Sequence, residues 1–249
     1  MRPTRVLVIA VAMVFGGLSP ARPASVPQHP AHNLKPNPDY LPACVEQGPN
    51  SHRCISQSVA AIENARARES MRRHRLVLPR NYASLTAPEQ EFVVIDLERV
   101  DRGIRPIRGL VSTLNTAAGG SAHAELDPHP ATLLLQRLGV HRYRSVWADD
   151  YGALSADYEW MYDDGYSGAN TTNAGCRYPG APGCWSHRVS ILYPFTGLPL
   201  LLAGTGAGKV AGGGDSVTAI LTGGHGAAPK FTYTWKEARA HGADGHRRG

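Results

Sequence analysis

Apolar residues along this chain switch between two spacings, and the switches predict its elements. Ile55, Val59, Ile62 and Ala65 recur at steps of three or four, which predicts one amphipathic helix within residues 55–74. Leu76-Val-Leu-Pro79 interrupts it. Thr86-Ala-Pro-Glu89 then has the Thr-x-x-Glu form of a capping box with proline in the first turn, so a strong helix is expected from there. Its apolar rows are Phe92, Ile95 and Val100, and Val93 with Leu97; Gly103 ends it.

Further helices are predicted at residues 110–118, ended by Gly119-Gly120, at 131–138, closed by Gly139, and at 154–162, where Leu154, Tyr158 and Met161 share a face. Residues 144–148, 198–204 and 216–222 read as strands, and 163–184 as a long loop ahead of a turn at His187. The sum is an α+β chain with few long strands.

The N-terminus adds a compartment. Met1-Arg-Pro-Thr-Arg5 precedes an apolar run from Val6 to Phe15 and then small residues, the order of a secretory signal peptide, with the mature chain expected to start near residue 22 or 25. The run is about half the roughly twenty residues of a permanent membrane anchor. We therefore expect a signal peptide at 1–24, an N-terminal extension with one helix at 25–85, the main domain at 86–235 and a basic polar tail at 236–249. The predicted localisation is secreted.

Charge changes the picture little. Removal of Arg2, Arg5 and Arg22, with no acid among the residues lost, lowers the formal charge from +6 to +3, too small an excess to predict nucleic-acid binding. The basic groups at Arg66–Arg75 and at His246, Arg247 and Arg248 read as solvated faces, or as contacts to anionic envelope polymers. Four cysteines in an exported chain predict disulfides, and spacing favours Cys44 with Cys54 and Cys176 with Cys184 over the other two connectivities. No Cys-x-x-Cys pair supports a cysteine zinc site near His52 or His187.

Several motifs then resemble one family in order. Arg99, Gly103 and Pro106 match the N-x-x-R-x-x-x-G-x-x-P pattern that opens bacterial members of the CAP superfamily (cysteine-rich secretory proteins, antigen 5, pathogenesis-related 1), with Asp96 near the usual asparagine. Tyr151-Gly152, Trp160-Met161 and Ser186-His187-Arg188-Val189-Ser190-Ile191-Leu192 resemble its G-Y, W-M and G-H-R-x-N-I-L landmarks, and Leu202-Ala-Gly-Thr-Gly206 its following strand. Met161-Tyr-Asp-Asp-Gly165 and Cys184–Arg188 resemble an exported actinobacterial branch. The resemblance covers residues 86–224. It implies an α-β-α sandwich with a small antiparallel-rich sheet.

The same resemblance implies a cleft that holds a divalent metal such as zinc between two histidines with nearby glutamates. His187 fits the second histidine; His129, with His123 in the same region, stands for the first. Glu159, preceding the W-M landmark, and Trp160 complete the expected ligand cleft. The family's G-E-N segment is here Arg144-Ser145-Val146, so one acidic ligand is missing. That departure favours a non-catalytic binding domain for a lipid or a cell-envelope component. The alternatives are a metal-dependent hydrolase using His187, with Glu159 as base, and a structural scaffold without a site.

Other chemistry is weaker. Ser186 beside His187 lacks a G-x-S-x-G elbow, and the Asp163-Asp164-Gly165 turn lacks the later ligands of a calcium loop. Leu200–Val210 imitates a phosphate loop, but Ala203 and Val210 occupy positions that would need glycine and serine or threonine.

Overall fold

A computed structural model describes residues 27–168, 172–210 and 213–244. The predicted signal segment and the basic group at His246, Arg247 and Arg248 lie outside the described residues. The elements are α1 (Leu41–Gln47), α2 (His52–Arg68), α3 (Ala87–Asp101), β1 (Gly109–Leu110), α4 (Ser112–His123), α5 (Thr132–Arg137), β2 (Val140–Asp150), α6 (Ala153–Tyr162), α7 (Ser186–Ile191), β3 (Leu200–Lys209), β4 (Asp215–Gly224), β5 (Tyr233–Thr234) and α8 (Trp235–Ala240). The chain is α+β.

Helix α3 starts at the capping box, where the Thr86 amide donates to the Glu89 carboxylate at 2.8 Å. It ends as predicted, with Gly103 at φ 73° and the Ile104 amide bonded back to the Arg99 carbonyl. Helix α2 stops at Arg68, short of the predicted end at residue 74, and Arg66 of the basic run, expected on a solvated face, is fully buried. Ser70 takes a left-handed φ of 58°, and the Ser70 and Met71 amides close on the Ala67 and Arg66 carbonyls, a Schellman-type stop.

The sheet has the order β2-β4-β3-β1-β5, antiparallel except where β1 meets β3. Strand alternation sends Leu200, Leu202 and Ile220 to a small apolar cluster with Val111, Leu114 and Ala118, beneath α4. Leu201, Ala203, Ala219 and Leu221 face the main core with Phe92, Ile95, Trp160 and Leu192. Helices therefore cover both faces.

Four elements outrun their predictions: β3 reaches Lys209 and β4 reaches Gly224, and β2 and α4 extend further than expected as well. Strand β2 has eleven residues because it pairs with β4 along its length, from Val140 opposite Gly224 to Asp150 opposite Asp215. Helix α4 passes through Gly119-Gly120 to His123. The reason is the glycine row of β3: a Cβ on Gly204 would lie 2.2 Å from the Leu114 backbone, and one on Gly206 would lie 2.3 Å from the Gly119 amide. The segment that imitated a phosphate loop is the track on which α4 rests.

The N-terminal extension packs into the same core, since Tyr40, Ile62, Ala65 and Tyr82 join the α3 and α6 residues there. A buried ionic cluster ties it further. Arg66 of α2 donates to Glu98 at 2.9 Å and to Asp101 at 2.6 Å, while Arg102 engages Glu98 and, at 2.9 Å, Glu69. Burial alone would raise the Glu98 carboxyl, yet Arg102 and Arg66 pull it down to about 2. Disulfides join Cys44 to Cys54 and Cys176 to Cys184, with Cα separations of 4.7 and 4.4 Å. Among the described residues no helix is long and apolar enough to cross a membrane.

Candidate functional site

The landmark residues first serve architecture. Arg99 donates to the Ile191 and Tyr193 carbonyls at 2.5 and 2.9 Å, and Asp96 accepts from the Ile107 amide at 2.8 Å, so α3 holds both the chain leaving it and the end of α7. Arg188, fully buried, donates to the Met161 carbonyl at 2.6 Å and to the Gln28 carbonyl at 3.0 Å. These bonds bring the segment after α6 against the first turn of α7.

His187 is positioned by that meeting. Its Nδ1 lies 2.7 Å from Asp164 Oδ1, and its amide donates to Oδ2 at 2.9 Å. Asp164 is 1% exposed and also accepts from Asn173 Nδ2 at 2.5 Å. Asn173 in turn donates to the Gly183 carbonyl at 2.9 Å, inside the Cys176–Cys184 ring. Gly175 and Gly183 cross so closely that a Cβ on Gly183 would meet the Gly175 carbonyl at 2.3 Å. The disulfide loop thus fixes Asn173, Asn173 fixes Asp164, and Asp164 fixes the ring, leaving Nε2 for a ligand.

Burial opposes charge on the imidazole, but the hydrogen bond and charge of Asp164, with Asp127 beyond, outweigh it and raise His187 above its ordinary value. Burial raises Asp164 also, despite His187. The pair keeps a proton to higher pH than free histidine would.

A cleft of about 510 Å³ opens beside this pair. Its lining includes His187, Glu159, Trp147, Asp127, Asp149 and Thr172. Burial, then the charges of Asp150, Asp163, Asp164 and Asp149, push the Glu159 carboxyl up to about 9, so it is a neutral hydrogen-bond donor at neutral pH.

Glu159 and His187 thus share one cleft. Trp160 does not line it: the indole is 1% exposed in the core and donates to the Trp147 carbonyl at 3.0 Å, backing the wall from behind. His129 is exposed with Nδ1 2.8 Å from the Asp127 carbonyl, and His123 lines a different cavity. Among the described residues no three of His, Cys, Asp and Glu are grouped to hold an ion. His187 and Glu159 fall short of the three protein ligands of a catalytic zinc, so the donor set present does not fit that metal.

Sequence reasoning missed Asp164, Asn173 and Trp147. A usable signal existed for the first: one acid-bearing and one histidine-bearing segment flank a single disulfide loop, which closes one upon the other. No protein-family model matches the chain, and no curated protein matches it.

Proposed function

We propose that this chain is an exported CAP-like domain that binds, without catalysis, a polar component of the cell envelope in the His187 cleft. The observation that carries the reading is the convergence of His187, oriented by buried Asp164, and Glu159 on one cavity. The cleft offers an imidazole Nε2, a neutral carboxyl donor and the partly buried indole face of Trp147, a set suited to hydroxyl- and amide-bearing ligands.

Export is supported by the two disulfides together with the basic and apolar N-terminal run. The family reading is supported by landmark order and by the helical cover on both faces of an antiparallel-rich sheet. A non-catalytic role is supported by Arg144-Ser145-Val146 in place of the acidic segment.

Titration calorimetry with soluble cell-wall glycan fragments and with lipid vesicles tests the proposal. We expect saturable binding of the glycan fragments that weakens in His187→Ala and in Glu159→Ala. Absence of binding to both, or affinity indifferent to both substitutions, overturns it. Stoichiometric divalent metal in protein prepared without chelator, lost in His187→Ala, would replace it with a metal-dependent activity.

A further inference from the structure

Strand β2 is an edge of the sheet, and the pairing register shows which of its backbone groups face outward. At the β3–β4 turn the Val210 amide donates to the Gly214 carbonyl at 3.3 Å, so every second residue of β4 from Ser216 to Gly224 bonds to β3. The residues between them, Asp215 to Gly223, bond to β2 through Arg142, Arg144, Val146, Ala148 and Asp150. Tyr143, Ser145, Trp147 and Asp149 therefore turn their amides and carbonyls away from the sheet.

One of those groups is engaged, since the Trp147 carbonyl accepts from Trp160 Nε1 at 3.0 Å. The others have no hydrogen-bond partner among the described residues. Natural sheets blunt such edges with short strands, bulges, proline or lysine. Strand β2 has eleven residues with neither proline nor lysine, and its irregularity, between Val140 and Arg142, comes before the open row. A row of donors and acceptors this long and this bare is a template for another extended chain.

Space and charge select that chain. The Trp147–Asp149 half of the edge is one wall of the His187 cleft, whose volume of about 510 Å³ takes a few residues of a single strand and not a folded domain. Exposed Glu125, Asp127 and Asp149 line the cleft, and no lysine or arginine does. The other half of the edge carries Arg142 and Arg144. A peptide antiparallel to β2 brings its first residues to the acids and its last residues to the arginines. A basic start and an acidic end therefore match, and the parallel orientation would reverse both pairings.

We propose that β2 is a docking edge for an extended peptide, added antiparallel as a sixth strand beside the five of the sheet, with a basic residue opposite Asp149 and an acidic residue opposite Arg144. Tyr143 and Ser145 lie outside the His187 cleft, so strand addition stands whether or not that cleft takes a glycan.

The probe is acetyl-Lys-Thr-Val-Thr-Val-Glu-Thr-amide, whose two valines fall opposite Trp147 and Ser145. Calorimetry and amide chemical shifts on the mature chain should show saturable binding, and the Ser145 amide should become protected from hydrogen exchange. Methylating the two valine nitrogens, which face β2, should abolish binding. Methylating the first two threonine nitrogens, which face away, should leave it unchanged. Ser145→Pro removes an outward amide and no ladder bond, which an edge strand tolerates, and it should weaken binding by at least about tenfold. Exchanging the lysine and glutamate of the probe should weaken it as well. Equal binding of the two methylated probes overturns the proposal, and that comparison needs no protein variant. So do absent saturation, equal or tighter binding of the charge-exchanged probe, and unchanged affinity in folded Ser145→Pro. Protection of the Ser145 amide without peptide, in a chain that self-associates, would put a second copy on the edge and overturn it too.

Discussion

The Nδ1 of His187 sits 2.7 Å from Oδ1 of Asp164, and those two residues reach each other across a loop closed by a disulfide. Asp164 is buried and His187 partly buried, so the hydrogen bond is charge-assisted when the imidazole is protonated. Asp164→Asn should therefore lower the His187 pKa relative to wild type, read by NMR titration of the ring proton. The raised histidine adds stability that is complete below the unfolded value near 6.5 and is lost as pH rises through the folded value. The penalty of Asp164→Asn in urea unfolding should thus shrink at alkaline pH. A His187 titration indistinguishable from wild type would remove the pair from its positioning role.

Stability of the whole protein should peak in mildly acidic solution. Burial pushes Glu159 to about 9 and Asp96 to about 8, the latter against Arg99 and the Ile107 amide. Raised carboxyls are protonated in the fold while the unfolded chain ionises, so stability falls as pH climbs from about 4 towards those values. Glu98, held at about 2 against an ordinary 4.5, contributes stability above 4.5 that is lost as pH falls towards 2. Urea midpoints across pH 3–9 should trace a maximum near 4.5, and Glu159→Gln should flatten its alkaline side. A maximum above pH 8 would contradict both assignments.

Arg66→Ala should destabilise the protein by about 3–5 kcal/mol, because Glu98 and Asp101 are left buried beside an absent cation. Chemical denaturation would show this as a lowered midpoint. A loss under about 1 kcal/mol would mean that Arg102 alone neutralises the cluster.

Gly206→Val should cost about 1–3 kcal/mol or more, since the new side chain would drive into the α4 backbone at Gly119. Far-ultraviolet dichroism and thermal midpoints report the change. Gly197→Val, at an open turn with φ 77°, would carry backbone strain instead of a clash and serves as the contrast.

Cys184→Ser should speed proteolysis within residues 176–192 and weaken binding in the His187 cleft, because the loop that holds Asn173 opens. Cys44→Ser should leave that segment at the wild-type rate and lower global stability by about 2–3 kcal/mol through the α1–α2 link. Equal cleavage in both variants would sink the distinction.

Local chemistry was legible along the chain. The capping box at Thr86, the stop at Gly103, the α2 stripe and the helix around Trp160 depend on neighbours within a few residues, so periodicity and end signals suffice to place them. Element ends that rest on distant partners were not. Gly119-Gly120 reads as a helix stop until the bare track of Gly204 and Gly206 lies beneath it, and β2 reads as five residues until β4 pairs with all of it. The candidate site divides in the same way. Residue type and motif marked His187 and Glu159, whereas the partnership with Asp164, the withdrawal of Trp160 into the core and the open edge of β2 were decided only by tertiary structure. A hydrogen bond between residues 23 apart, and burial that denies a carboxyl its water, are properties of packing, and no local pattern encodes them.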